Sequence, residues 1–168
     1  MTNFNQELLR SSPALLALLG IVDYLQTSPP AFKNTKGSNQ TVTSTALTLI
    51  TWATSAAIDT ASGWDGEDHK YTVPAGAGGY WGVYASLAWL VAADQDFIVI
   101  EVHVDSAAVA GRRMNAGGAA ANTIDAFSLF NATVGAEIEV FGRNANSATS
   151  AVSSLASDTQ VFGIRLGP

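Results

Sequence analysis

There is no cysteine in this 168-residue chain, so a disulfide framework, a thiolate metal site and a cysteine nucleophile are all excluded. Stability must come from packing or from association. Charge is scarce as well: Asp, Glu, Lys and Arg make up 13% of the residues, and eight basic against fourteen acidic side chains leave a net charge of -6. No run of Lys or Arg exists to neutralise a phosphate backbone, which argues against nucleic acid as a partner. His69 and His103 are the only histidines and form no ligand-spaced pair, so the usual zinc motif is absent. The longest apolar run, residues 14–22, is far below the roughly 20 residues of a membrane-spanning helix, and no membrane partner is expected. No serine sits in a Gly-x-Ser-x-Gly elbow and no phosphate-cradling loop occurs, so neither a catalytic centre nor a cofactor is expected.

What the chain does have is apolar material. Residues of the hydrophobic set make up 48% of it, ample for one core and without the signature of disorder, while the length leaves no room for two independent domains. Alanine is unusually common at 28 residues, which suits closely approaching sheets and subunits.

Two parts are expected. Residues 1–30 read as a helical anchor arm and linker. Ser12 can cap, Pro13 suits a first helical position, and Leu15, Leu18, Leu19, Val22 and Leu25 recur at spacings of three and four. Glu7 and Arg10 precede the apolar stretch and no clean small-x-small cleavage site follows it, so it is read as structure and not as a secretory signal. Thr27-Ser28-Pro29-Pro30 then stops any helix.

From Ala31 to Pro168 the period changes to short β-rich runs split by Gly, Asn, Asp and Ser. Strands are expected at 40–43, 46–52, 70–73, 80–90, 97–104, 126–130, 137–143 and 161–166, with surface loops at 116–121 and 144–158. Ile138 and Val140 alternate with Glu137 and Glu139, and Phe162, Ile164 and Leu166 alternate with Val161 and Arg165, so each strand turns one face to a core. On the long strand Trp81, Val83, Ala85, Leu87 and Trp89 share one face, while Tyr80, Gly82, Tyr84, Ser86 and Ala88 share the other. The pattern is that of an all-β sandwich or jelly roll.

The order of aromatic and turn residues is specific. Trp52, Asp59, Trp64, Tyr71 and then Gly78-Gly79-Tyr80-Trp81-Gly82-Val83-Tyr84 are separated by six, four, six and six residues. Later come Thr133-Val134-Gly135-Ala136-Glu137-Ile138-Glu139-Val140 and Val161-Phe162-Gly163-Ile164-Arg165-Leu166. This series resembles the C1q/TNF-like domain over about residues 31–168, with Gly82 where that family usually carries Phe. The resemblance implies a ten-stranded jelly roll that associates as a homotrimer and acts by binding rather than catalysis. It places Tyr80, Gly82 and Tyr84 at the subunit interface.

Other residues invite chemistry and have simpler alternatives. Asp65, Glu67 and Asp68 surround Gly66 with hard oxygen ligands of the kind calcium takes, but they lack a full ligand count and serve equally as a solvated turn. They are kept only as weak metal candidates. His103 is expected to face solvent or a neighbouring subunit. Arg112 and Arg113, near a loop, suit an anionic glycan or a partner carboxylate, a solvated loop being the plain alternative.

Two functional classes follow. The first is a virion structural protein on the capsid surface, a bacteriophage capsid decoration, cement or head-fibre trimer whose arm binds the major capsid protein or another virion protein. Its support is a cysteine-free, weakly charged jelly roll with no collagen-type Gly-x-y stalk and an apolar arm that needs a surface. The second is a trimeric receptor- or glycan-binding head, on a phage tail tip or as a bacterial surface or extracellular module.

Overall fold

The computed structural model describes residues 29–42, 46–90, 95–116, 121–144, 150–154 and 158–168. The arm with its stripe of Leu15, Leu18, Leu19, Val22 and Leu25 lies outside them, as do parts of the expected loops. Among the described residues every regular element is a strand. They are β1 (Ala31–Thr35), β2 (Gln40–Val42), β3 (Thr48–Leu49), β4 (Ile58–Asp59), β5 (Trp64–Asp65), β6 (Lys70–Thr72), β7 (Gly79–Leu90), β8 (Gln95–Val104), β9 (Ala107–Ala116), β10 (Ala121–Ala132), β11 (Glu137–Asn144), β12 (Ser150–Val152) and β13 (Gln160–Gly167).

Two antiparallel sheets face each other. In the first, β7 is central: β10 runs along its whole length on one edge, β13 and β12 share the other, and β1 and β4 follow β13. The second has the order β5-β6-β11-β8-β9, with β3 paired to β11. β11 shows why these sequences make strands, since Ile138, Val140, Gly142 and Asn144 are buried while Glu137, Glu139, Phe141 and Arg143 are only partly so.

The core lies between the sheets. Trp81, Val83, Ala85, Leu87 and Trp89 all point into it, as the alternation along β7 requires. The Phe32 ring stacks on Tyr71 at 4.1 Å between centroids, and Trp81 lies 5.4 Å from Tyr71. Gly163 makes room for this stack, because a Cβ there would meet the Phe32 ring at 2.2 Å. The indole N–H of Trp81 donates to the Ala77 carbonyl at 3.0 Å, so that ring is satisfied within the core.

Several expectations need correction. Residues 46–52 make only the two-residue β3, because the chain there crosses from one sheet to the other: Ile50 N–H donates to Val140 of β11, then Ala53 N–H to Thr35 of β1. The strand expected at 126–130 extends over Ala121–Ala132. No strand was expected over β9, whose Ala, Gly and Asn are poor strand formers. It forms because Asp105 and Ser106, with φ of 49° and 68°, close a two-residue turn that lays it back on β8. β13 turns Val161 and Gly163 inward, which leaves Phe162, Ile164 and Leu166 half-buried on the outward side. Among the described residues the strand count is thirteen where the resemblance implies ten, and six of the thirteen are pairings of only two or three residues.

Candidate functional site

The outward face of the first sheet is apolar. Cross-strand register puts Phe127, Tyr84 and Phe162 in one row, continued by Lys33 and Ile58, and puts Leu129, Gly82 and Ile164 in the next. Tyr80, Phe127 and Leu129 are 56%, 60% and 63% exposed, so side chains that a core would normally absorb are left in water. Gly82 is buried beneath them, its missing Cβ lying 3.4 Å from Leu129, 3.5 Å from Leu166 and 3.7 Å from Phe127. Tyr80, Gly82 and Tyr84 thus share one surface, as the sequence placed them. Ser86 and Ala88 do not belong to that surface, although they alternate onto the same side of β7. The chain's own C-terminal part covers them: Ser86 Oγ donates to the Asp158 carbonyl at 2.9 Å, and Thr159 Oγ1 accepts from Ala88 N–H at 3.0 Å.

Phe127 and Leu129 escaped the sequence reading. The signal was present, since β10 places large apolar residues on both parities, with Ile124 and Ala126 inward and Phe127 and Leu129 outward.

The outward face of the second sheet is different. Arg143 of β11 and Arg113 of β9 flank Val99 of β8 in one register row. Both guanidinium groups turn toward Phe97, the Arg113 Cζ at 3.2 Å from the ring centroid and the Arg143 Cζ at 6.0 Å. The Arg143 Nε–H is buried without an acceptor among the described residues. Two residues along β8, Glu101 is taken by His103, whose Nε2 lies 2.8 Å from Oε2, and His103 packs its ring 4.5 Å from Phe141. His103 does lie on the outward side, but it is nearly covered there, with a residual exposure of 9%. Arg112 and Arg113 part company because they alternate along a strand rather than sharing a loop: Arg112 instead donates to Asp125 of β10 at 2.9 Å.

The acidic loop is organised around its own backbone. Asp65 Oδ1 accepts from the N–H groups of Glu67 at 2.9 Å and Asp68 at 3.0 Å, and the Asp68 and Glu67 amides hold its carboxyl below the usual carboxylate range. Asp68 pairs with Lys70 at 3.0 Å, and Lys70 reaches Glu137 at 2.9 Å. Hydrogen bonds to Glu137 and Asp68 raise the Lys70 pKa. Among the described residues no three His, Asp or Glu side chains are grouped to hold a metal ion. A depression of about 420 Å³ beside this loop is lined by residues 62–66 with Thr72 and Pro74, and Asp65 is its one titratable group.

Among the described residues, Lys36 is a buried cation without a counter-charge. Lys36 Nζ donates to Gln40 Oε1 at 2.8 Å and to Thr51 at its carbonyl (2.6 Å) and hydroxyl (3.0 Å), and burial pushes its pKa down to about 8. Asp59, in contrast, accepts from the N–H groups of Gly63 at 3.1 Å and Trp64 at 2.9 Å and fixes the turn into β5.

With this geometry in hand, comparison with solved structures is decisive for the fold. The crystal structure of murine APRIL at pH 5.0 superimposes with a TM-score of 0.66 at 12% identity, over 83% of this chain and 100% of that one. This is a TNF-like jelly roll. Eiger TNF from S. frugiperda matches with a TM-score of 0.56 at 15% identity, over 83% of this chain and 94% of its own. Murine APRIL at pH 8.5 gives 0.56 at 14% identity, again over 83% of this chain. No family model and no curated protein matches the sequence. At these identities the likeness is one of fold alone.

Proposed function

We propose that this chain is a non-enzymatic structural protein of a virus particle, a homotrimeric capsid decoration or head-fibre protein with residues 1–30 as its anchor and the jelly roll as its head. The observation that carries the trimer is the outward face of the first sheet, where Tyr80, Phe127 and Leu129 stand in water around the flat floor of Gly82. Such a face is satisfied by identical faces closing about a symmetry axis. The particle setting draws on the sequence: no cysteine, 13% charged residues, and an arm whose leucine stripe needs an apolar surface.

Co-sedimentation of the full chain with assembled capsids tests the anchor. Leu15→Asp with Leu19→Asp should leave the trimer intact and abolish attachment, because the charges would have to be desolvated in the apolar contact. Full occupancy by that variant would move the attachment surface onto the jelly roll. Loss of the trimer instead would make the arm an oligomerisation element. A second reading, a receptor- or glycan-binding head, is favoured by one observation, the Arg113 and Arg143 pair on the opposite sheet.

A further inference from the structure

We propose that Arg113, Arg143 and Phe97 form a binding site for a carboxylated sugar on the outward face of the second sheet. The inference rests on the receptor-binding reading and supplies its ligand class, while the site itself stands on geometry independent of the trimer.

Two guanidinium groups converge on one ring from the strands on either side of β8. Like charges drawn together at a half-buried surface repel unless an anion lies between them. Within the described structure neither Arg113 nor Arg143 has a carboxylate partner, whereas Arg112 and Lys70 both do. Glu101, the acid placed on the same strand face, is held by His103. A buried Nε–H on Arg143 remains without an acceptor. Such a donor is costly to leave unmade.

The ring fixes what kind of ligand fits. Stacking on Phe97 occupies the face of the Arg113 guanidinium and leaves its N–H edge free, the geometry that pairs two oxygens of a carboxylate. Phe141, partly exposed in the next outward row, borders the pair with apolar surface suited to the C–H groups of a sugar ring. Polyanions are disfavoured, since Glu101 and Glu139 lie in the neighbouring rows and the chain carries a net charge of -6. A single carboxylate on an otherwise neutral, hydroxyl-bearing body meets all of these conditions; an acidic peptide or a nucleic acid does not.

The test is a titration of the full chain with methyl glycosides of N-acetylneuraminate and of glucuronate, followed by the NMR signals of the arginine Nε–H groups. Neutral methyl galactoside and N-acetylaspartate amide serve as the comparison arms. The expected result is saturable movement of the Arg113 and Arg143 signals with millimolar affinity for an acidic sugar and none for galactoside. Arg113→Gln with Arg143→Gln should weaken binding by about tenfold or more, and Phe97→Leu should weaken it while leaving both charges in place. Arg113 is exposed, so Arg113→Gln alone provides a variant whose folding is not at issue. Unmoved arginine signals, or equal affinity in the double variant, would overturn the site. Binding of N-acetylaspartate amide at least as tightly as the sugars would overturn the sugar assignment in favour of a protein carboxylate. Cell-binding assays address the receptor reading separately, so an occupied site on a protein that ignores cells would refute that reading and not the site.

Discussion

Phe127→Ser combined with Leu129→Ser strikes the outward face of the first sheet where it is most exposed. With 60% and 63% of these residues in water, the isolated fold gains little from either and should lose little without them. Fully burying one such side chain is worth about 1.5–3 kcal/mol, so the part still in water stands for about 1–2 kcal/mol each. Together they contribute about 3 kcal/mol per protomer and about 9 kcal/mol per closed trimer. At about 1.4 kcal/mol per factor of ten, that is between six and seven orders of magnitude, roughly, in a trimer dissociation constant with units of concentration squared. The midpoint of dissociation follows its square root and should rise by about three orders of magnitude. Sedimentation velocity across a dilution series reads this directly, with the melting temperature of the dissociated variant as a check that the jelly roll is kept. A double variant that stays trimeric at the same concentrations as the parent would place the subunit contact on another face. A parent that is monomeric at micromolar protein would remove the trimer itself.

Four further outcomes are expected. Tyr84→Asp should also weaken the trimer, since it sets an unpaired charge among Phe127, Phe162 and their symmetry mates; an unchanged dissociation midpoint would exclude β7 from the contact. Gly163→Ala should cost about 1–3 kcal/mol in urea unfolding, because its methyl would meet Phe32 Cε1 at 2.2 Å in a ring already stacked on Tyr71, and a neutral result would mean that the stack is loose. Lys36 titrates at about 8 in the folded chain against an ordinary 10.5, so between these values the unfolded chain binds more protons and stability rises with pH. Urea unfolding should show a gain of about 2 kcal/mol from about pH 7 to pH 9.5 that Lys36→Met lacks, a window kept below the range where the raised pKa of Tyr71 acts in the opposite sense. Calcium should leave the melting temperature unchanged, because the Asp65 carboxylate is already engaged by two backbone N–H groups; a saturable rise lost in Asp65→Asn with Asp68→Asn would restore the metal site.

The long strands were legible because alternation and aromatic content write them plainly. β7, β8, β11 and β13 fall within two residues of where periodicity put them, and the core face of β7 is the one that its tryptophans announced. β1, β4, β5, β9 and β12 were not legible, because pairing rather than propensity makes them strands. β9 exists through a turn at Asp105 and Ser106 that no hydrophobic pattern advertises. The inversion of β13 has the same origin. Read alone, Phe162, Ile164 and Leu166 look like core residues, and only the Phe32 ring, which needs a glycine opposite it, shows why Gly163 takes the inside. That Tyr80, Gly82 and Tyr84 share one outward face was readable from the alternation along β7. Arg113 was singled out with Arg112 as suited to an anionic group, but its neighbours Phe97 and Arg143 were not, since Arg113 and Arg143 share a row only once β8 has received a partner on each edge.

The two outward faces are chemically unlike, and the difference bears on which of them the proposed trimer would close. Three outward rows across β11 and β8 of the second sheet each contain a charge: Arg143 and Arg113 beside Val99, Glu101 beside Phe141, Glu139 beside His103. Closing a subunit interface over those rows would desolvate several charges that lack good partners, a cost that apolar contact there does not offset. On the first sheet, the row of Phe127, Tyr84 and Phe162 meets a charge only at Lys33, near its end beside Ile58, where an ammonium on a flexible stem can keep its head in water. Association through the first sheet therefore leaves the second facing solvent in each protomer. Since the arginine pair and the apolar rows share no residue and lie on opposite sides of the core, a ligand at one has no differential contact with the associated and dissociated states of the other. Without such a difference there is no coupling free energy, and a trimer would present three independent sites whose combined avidity comes from their number alone.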